Sequence, residues 1–166
     1  MTDLYIDPIM RTYVETIKAG TSVFQGIFYG DPIRVAASQL PALIVAKVDT
    51  RVSNMTNVED MHQIRLSFTV VTDIHDTLNE DSQIVAGVNA LYNIMEGRQK
   101  DTYLLDPKSL LYILRHNVEI DPANNLRTDL STMSRVDYGM TMGKRKEAAW
   151  SIEGTVEITA HFTQIR

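Results

Sequence analysis

One stretch limits what this chain can fold into more than any other: Ala149 to Ile165, read as A-W-S-I-E-G-T-V-E-I-T-A-H-F-T-Q-I. Trp150, Ile152, Val156, Ile158, Ala160 and Phe162 share one parity, and Ser151, Glu153, Thr155, Glu157, Thr159, His161 and Thr163 share the other. Side chains alternate across a strand, so this is a strand with one apolar and one polar face. At about 3.3 Å per residue it would run roughly 50 Å, far beyond the usual five or six residues. It must therefore bend, with Gly154 as the expected bulge, or project past a compact core. Whatever else folds must supply partners for its apolar face.

Two further segments read as strands. Ala42 to Val52 is rich in β-branched residues and alternates at its end, and Met61 to Asp73 sets Ile64, Leu66, Phe68, Val70 and Thr72 on one face. The polar run Ser53 to Asp60 between them predicts an antiparallel pair. A fourth strand is expected over Leu130 to Tyr138, followed by a loop from Gly139 to Ala148 that leads back into the last strand. Helices are predicted where the period changes. Ile6, Ile9, Met10, Tyr13, Val14 and Ile17 recur at helical spacing, with Asp3 or Asp7 as the cap, Pro8 in the first turn and Gly20 as the stop. Ile84, Val85, Val88, Leu91, Tyr92 and Met95 form a second stripe that Gly97 ends, and Asp106-Pro107 opens a shorter third helix. Val118 and Ile120 read as a brief extended piece. The expected architecture is α+β, in the order α-β-β-α-α-β-β: a single domain over residues 1–166. It has a mostly antiparallel four-stranded sheet, two helices packed on one face and a long C-terminal hairpin. Trp150, Ile158, Phe68, Leu91 and Tyr13 are the expected core.

The chemistry-bearing residues are sparse. There is no cysteine, which removes disulfides, thiolate metal sites and cysteine nucleophiles. The four histidines, His62, His75, His116 and His161, show no metal-ligand spacing, and His75-Asp76 reads as a solvated turn. No G-x-S-x-G elbow occurs. Gly139-Met-Thr-Met-Gly143-Lys144 echoes a phosphate loop but has too few residues between its glycines, and Arg145 stands where a magnesium-binding hydroxyl belongs. Asn54-Met55-Thr56 matches a glycosylation sequon, but no secretory segment accompanies it. The acidic pairs Glu59-Asp60 and Glu80-Asp81 fall in a loop and a cap. No catalytic residue, cofactor site or metal site is assigned. A net charge of −5 argues against wholesale wrapping of nucleic acid. The N-terminus lacks a signal peptide and no apolar run is long enough to span a bilayer, so use in a cytosol, away from membranes, is expected.

What remains points to surfaces. Thr21 to Pro41 carries Phe24, Phe28 and Tyr29 among turn signals, which reads either as a connection tucked on the core or as a face for a neighbouring subunit. The loop after Gly139 combines Met140 and Met142 with Lys144, Arg145 and Lys146. Methionine at a surface adapts to partners, whereas a charge run alone is most often a solvated turn.

The chain resembles a known family, the tail terminator (tail completion) proteins of long-tailed bacteriophages. Three stretches carry the likeness: Y-G-D-P-I-R-V-A-A-S-Q-L-P-A-L-I-V at Tyr29 to Val45, A-L-Y-N-I-M-E-G-R at Ala90 to Arg98, and S-L-L-Y-I-L-R at Ser109 to Arg115. The resemblance implies a structural virion protein rather than an enzyme. It implies a ring of six copies at the head-proximal end of the tail, assembled in the host cytoplasm. That ring stops growth of the tail tube protein and docks the head-completion or connector protein. DNA would pass through its lumen without sequence-specific binding. Within the virion the alternative is another neck, connector or tail tube protein. Outside it, the alternative is a small α+β enzyme or ligand-binding domain, which native mass would distinguish.

Overall fold

The computed structural model describes residues 6–32, 34–73, 80–133, 135–142 and 150–165, and side chains for all of these except 80–85, 140–142 and 150. Three helices, α1 (Pro8–Gly20), α2 (Glu80–Met95) and α3 (Leu110–His116), lie against seven strands. The strands are β1 (Gly26–Tyr29), β2 (Ala42–Asn54), β3 (Glu59–Asp73), β4 (Glu119–Asp121), β5 (Leu126–Asp129), β6 (Val136–Met142) and β7 (Trp150–Ile165). They form one sheet in the order β1-β2-β3-β7-β5-β4, with β6 also paired to β7, curled into a half-barrel. The expected four-stranded, mostly antiparallel sheet with two helices is therefore wrong. The sheet has seven strands, β1 joins β2 in parallel, and a third helix belongs to the packing.

The long strands are those with enough residues for alternation to declare itself. β3 and β7 pair without a break from Glu59–Ile165 to Asp73–Ser151, and β2 pairs with β3 from Ala42–Val71 to Asn54–Asp60. Gly154 is not a bulge: it sits in register opposite Val70 and Tyr138. Its reason is space, because a Cβ there would stand 3.1 Å from Met95 Cγ and 3.3 Å from Leu91 Cδ1, where α2 crosses the strand. The irregularity falls instead at Val48, between Lys47 and Asp49 in β2, and a bulge there adds local twist to the curl.

The far edge of β7 is served by two strands in succession. β5 pairs with Thr159–His161 and β6 with Trp150–Val156. Between them the chain leaves the sheet in a 3-10 turn, Leu130–Thr132, which takes the place of the start of the strand expected over Leu130 to Tyr138; Val136 to Tyr138 are strand, in β6. Asp129 caps this turn, with Ser131 N–H and hydroxyl both donating to its carboxylate, and buried Met133 plugs it into the core. Thr132 Oγ1 accepts the Thr159 N–H at 2.9 Å, so the backbone donor left by the strand break keeps a partner. β6 also runs further than expected. Gly139 to Met142 are strand rather than loop, paired with Glu153 to Trp150.

The concave face holds the main core. Tyr13, Val14 and Ile17 of α1, Leu91 and Met95 of α2, and Leu110 and Leu114 of α3 cover Leu43, Val45, Leu66, Phe68, Val70, Val156 and Ile158. Four of the five expected core residues are fully buried, and the fifth, Trp150, has a side chain outside the described set. Asp7 caps α1, accepting from Ile9 N–H, and Pro8 follows as its first residue. α3 begins later than expected: Ser109 caps it, while Asp106 closes a turn by accepting the Lys108 N–H. A smaller apolar cluster, Val35, Ala42, Ile44 and Val71 with Phe28 and Leu40 against it, sits on the opposite face near β1.

Candidate functional site

Among the described residues no group of three or more potential metal ligands exists. His62 stacks on Phe162 at 4.4 Å between ring centres, and His116 on Tyr112 at 3.6 Å. His161 approaches Asp129 at 3.8 Å, beside a shallow polar cleft of about 250 Å3 on the convex face. The Asp129 carboxyl is held below its usual range chiefly by the Ser131 hydroxyl and then by the Ser131 N–H. Along the same face Arg65 bridges Asp49 at 2.9 Å and Glu157 at 3.9 Å, so opposite charges alternate across three strands. These side chains satisfy one another at the surface, where such pairs are worth little individually. His75 and Asp76 lie outside the described residues, as does Gly143 onward of the phosphate-loop echo. The sequon Asn54-Met55-Thr56 sits at the β2–β3 turn.

The distinctive geometry is the length of three neighbouring strands. β2, β3 and β7 have 13, 15 and 16 residues, and burial on the concave face ends at Ile64 and Ala160. Past that line they continue as a three-stranded ribbon. Among the described residues no strand pairs the outer edge of β2 from Lys47 to Ser53, or that of β7 from Phe162 to Gln164. Val52, Met55, Val58 and Ile165 are exposed large apolar side chains at its end. Where the ribbon leaves the body, a groove of about 790 Å3 opens between it, the start of α1 and the β4–β5 turn. Its lining includes Ile9, His62, Ile64, Leu126 and Phe162, with Glu59 and Asp121 among the polar groups.

A second feature lies between α2 and α3. Gly97, at φ 51°, ends α2, and residues 98–106 fold into a closed loop. Tyr103 there has φ 57°, a left-handed backbone that a bulky residue rarely adopts. Four bonds hold it. Tyr103 N–H donates to Gln99 O and Gln99 N–H to Leu104 O, both at 2.9 Å. Asp106 N–H donates to Gly97 O at 2.8 Å, and Arg98 Nη1 to Tyr103 O at 3.1 Å, the guanidinium also pairing with Glu96 at 3.3 Å. Tyr103 and Leu104 project outward, 74% and 64% exposed. Beside them Tyr92 meets Tyr138 edge to face at 4.8 Å. Burial foremost, with the Glu96 carboxylate next, raises the Tyr138 phenol well above its ordinary range.

Of the residues singled out from sequence, the three described aromatics fall on two faces of the sheet. Phe24 and Tyr29 are half-buried against the main core, while Phe28 packs on the small cluster across the sheet. Met140 and Met142 are in β6, their side chains outside the described set, and Lys144, Arg145 and Lys146 lie outside the described residues altogether. Sequence reading missed the ribbon end, the groove and the Tyr103 loop. The signal for the loop was present in D-T-Y-L-L-D-P, a bulky apolar run where turn chemistry predicts polar residues. Comparison with protein-family models and with curated proteins finds no match to this chain.

Proposed function

We propose that this chain is a structural subunit that acts by joining copies of itself and neighbouring proteins, as a ring that caps the tail tube of a long-tailed phage. In this reading the ring ends growth of the tube and offers the surface on which the head connector docks. The observation that carries it is the β2–β3–β7 ribbon. A domain of this size does not need strands of 13 to 16 residues to close its core. Strand edges and exposed apolar ends are hazards that a monomer ordinarily blunts, and are useful where a second surface covers them. The resemblance of Tyr29 to Val45, Ala90 to Arg98 and Ser109 to Arg115 to tail terminators names the assembly. The charged convex face fits the same role: with Asp49 and Glu157 set against Arg65, and a net charge of −5, it would hold passing DNA weakly.

The test is an electron-microscopy reconstruction of the head-proximal end of tails that carry this protein. A ring of about six copies at the end of the tube is the expected result, since a tail's cyclic symmetry requires a closed ring. Tails whose tube end lacks the protein overturn the reading.

A further inference from the structure

We infer that the groove at the ribbon base takes the basic connection between β6 and β7 of a neighbouring copy, Lys144-Arg145-Lys146 lying against Glu59 and Asp121. The contact rests on the ring reading for its closure, but both of its halves belong to this one chain.

The groove is acidic. Asp7, Glu59 and Asp121 line it against one ammonium, Lys47, which Asp7 already holds at 2.9 Å. The Asp121 carboxylate accepts the Ala123 N–H at 3.2 Å and Asn124 Nδ2 at 2.7 Å, and both of these donors are neutral. Among the described residues no cation pairs with Glu59. Two carboxylates thus face the groove without a cation of their own. Its floor suits the same ligand: His62 stacked on Phe162 offers flat rings on which the aliphatic stem and charged head of a lysine or arginine can lie. The wall adds main-chain groups. Phe162 to Gln164 line the groove, and on the edge away from β3 no described strand pairs them, so an extended segment can bond there.

The occupant is marked in the sequence. Lys144-Arg145-Lys146 is the chain's only run of three basic residues, and within residues 143–149 only Glu147 opposes it. The chain as a whole is acidic, at −5, so an acidic groove disfavours most of another copy's surface and selects this segment. β6 and β7 pair up to Met142 and Trp150, which puts the run at one end of β7, while the groove lies on Phe162 to Ile165 at the other. β7 pairs with β3 without a break between the two, and residues 143–149 are too few to retrace that length of strand. A neighbour therefore supplies the segment. Unlike surfaces at the two ends of one strand make a heterologous contact, which closes into a ring when the rotation between copies permits.

The test combines charge exchange with cross-linking in the full chain. Arg145→Glu and Glu59→Arg should each raise the concentration for half-assembly roughly tenfold, and the two together should bring it back to within about threefold of the original. Melting temperatures taken alongside separate a lost contact from a lost fold. The unaltered protein supplies the second measurement. Isotope-labelled and unlabelled copies are mixed and treated with a carbodiimide, which joins a lysine ammonium to a carboxylate that touches it. The expected product links Lys144 or Lys146 of one copy to Glu59 or Asp121 of a copy with the other label. Such a link formed only within one copy, or groove carboxylates joined to other lysines, would give the groove to another segment and overturn the inference. Rings of about six copies with neither the link nor recovery in the double variant would sink the contact and leave the ring standing. Protein that stays single at every concentration, with and without tail tubes, removes both the ring and the contact.

Discussion

Gly154 shows how one residue position can be set by an element far away in the sequence. Its backbone is ordinary strand, but Met95 and Leu91 leave no room for a side chain. Gly154→Ala should cost about 1 kcal/mol by denaturant titration, at the low end for overpacking because Met95 is flexible. Emptying the same contact is worse. Leu91→Ala should cost about 2–5 kcal/mol and Phe68→Ala about 3–5, since both side chains are fully buried. Near-native stability in either would mean that the concave face is wrongly assigned. Tyr13 makes a pH-dependent version of the argument. Burial pushes its phenol up to about 12, opposed by the 2.7 Å hydrogen bond to the buried Thr128 hydroxyl. The folded form thus keeps the proton where the unfolded form loses it. Its contribution is complete below the unfolded value near 10 and is lost as pH rises through about 12. Stability should fall by up to about 1.4 kcal/mol per pH unit across that window. Tyr13→Phe should flatten that slope, and at neutral pH cost about 1–3 kcal/mol by stranding Thr128. An unchanged alkaline slope in the variant would show that other groups carry it.

Elements differ in how plainly they were written. β3 and β7 were legible because more than a dozen alternating residues leave no competing period, and α1 because Asp7, Pro8 and Gly20 mark both ends. β1, β4 and β5 have four residues or fewer, too short for alternation; β1 and β5 exist because a long strand presents an edge to them, and β4 adds on to β5. The parallel β1–β2 pairing could not be read locally, as the segment from Gly30 to Pro41 only shows turn signals. The β5–β6 break was hidden for another reason. Leu130 to Tyr138 alternates, but Asp129 and Ser131 offer a tighter local bonding pattern that wins. That gives an element-scale prediction. Thr132→Val leaves the Thr159 N–H without its side-chain acceptor and should cost about 0.5–1.5 kcal/mol. Amide exchange at Thr159 should quicken in parallel, and unchanged exchange would mean that another acceptor serves it.

For the whole molecule, the ribbon separates folding from assembly. Removing residues 52–62 and joining Arg51 to Gln63 through Asn-Gly keeps those two as a paired, two-residue hairpin. Burial on this face begins at Ile64, so the melting temperature should move by only a few degrees, while ring formation by light scattering should fail. A shortened protein that assembles normally would locate the contacts elsewhere. The candidate surfaces were the least legible part of the sequence, because each is a juxtaposition: Phe162 meets His62 across strands, and Arg98 reaches Tyr103 within a folded loop.

The place of β7 in the sheet also sets an order of events in time. It is made after every strand it pairs with, β3, β5 and β6, and its partners in β3 lie about eighty to a hundred residues earlier. A growing chain on the ribosome can form the β2–β3 hairpin and α1, but Leu66, Phe68 and Val70 keep one open flank until β7 has been made. Such non-local closure is slow, in the range of milliseconds to seconds for comparable topologies, and it exposes an apolar strand edge meanwhile. Chains released early, lacking Trp150 to Ile165, should therefore be recovered with chaperones or in aggregates rather than as a smaller folded domain.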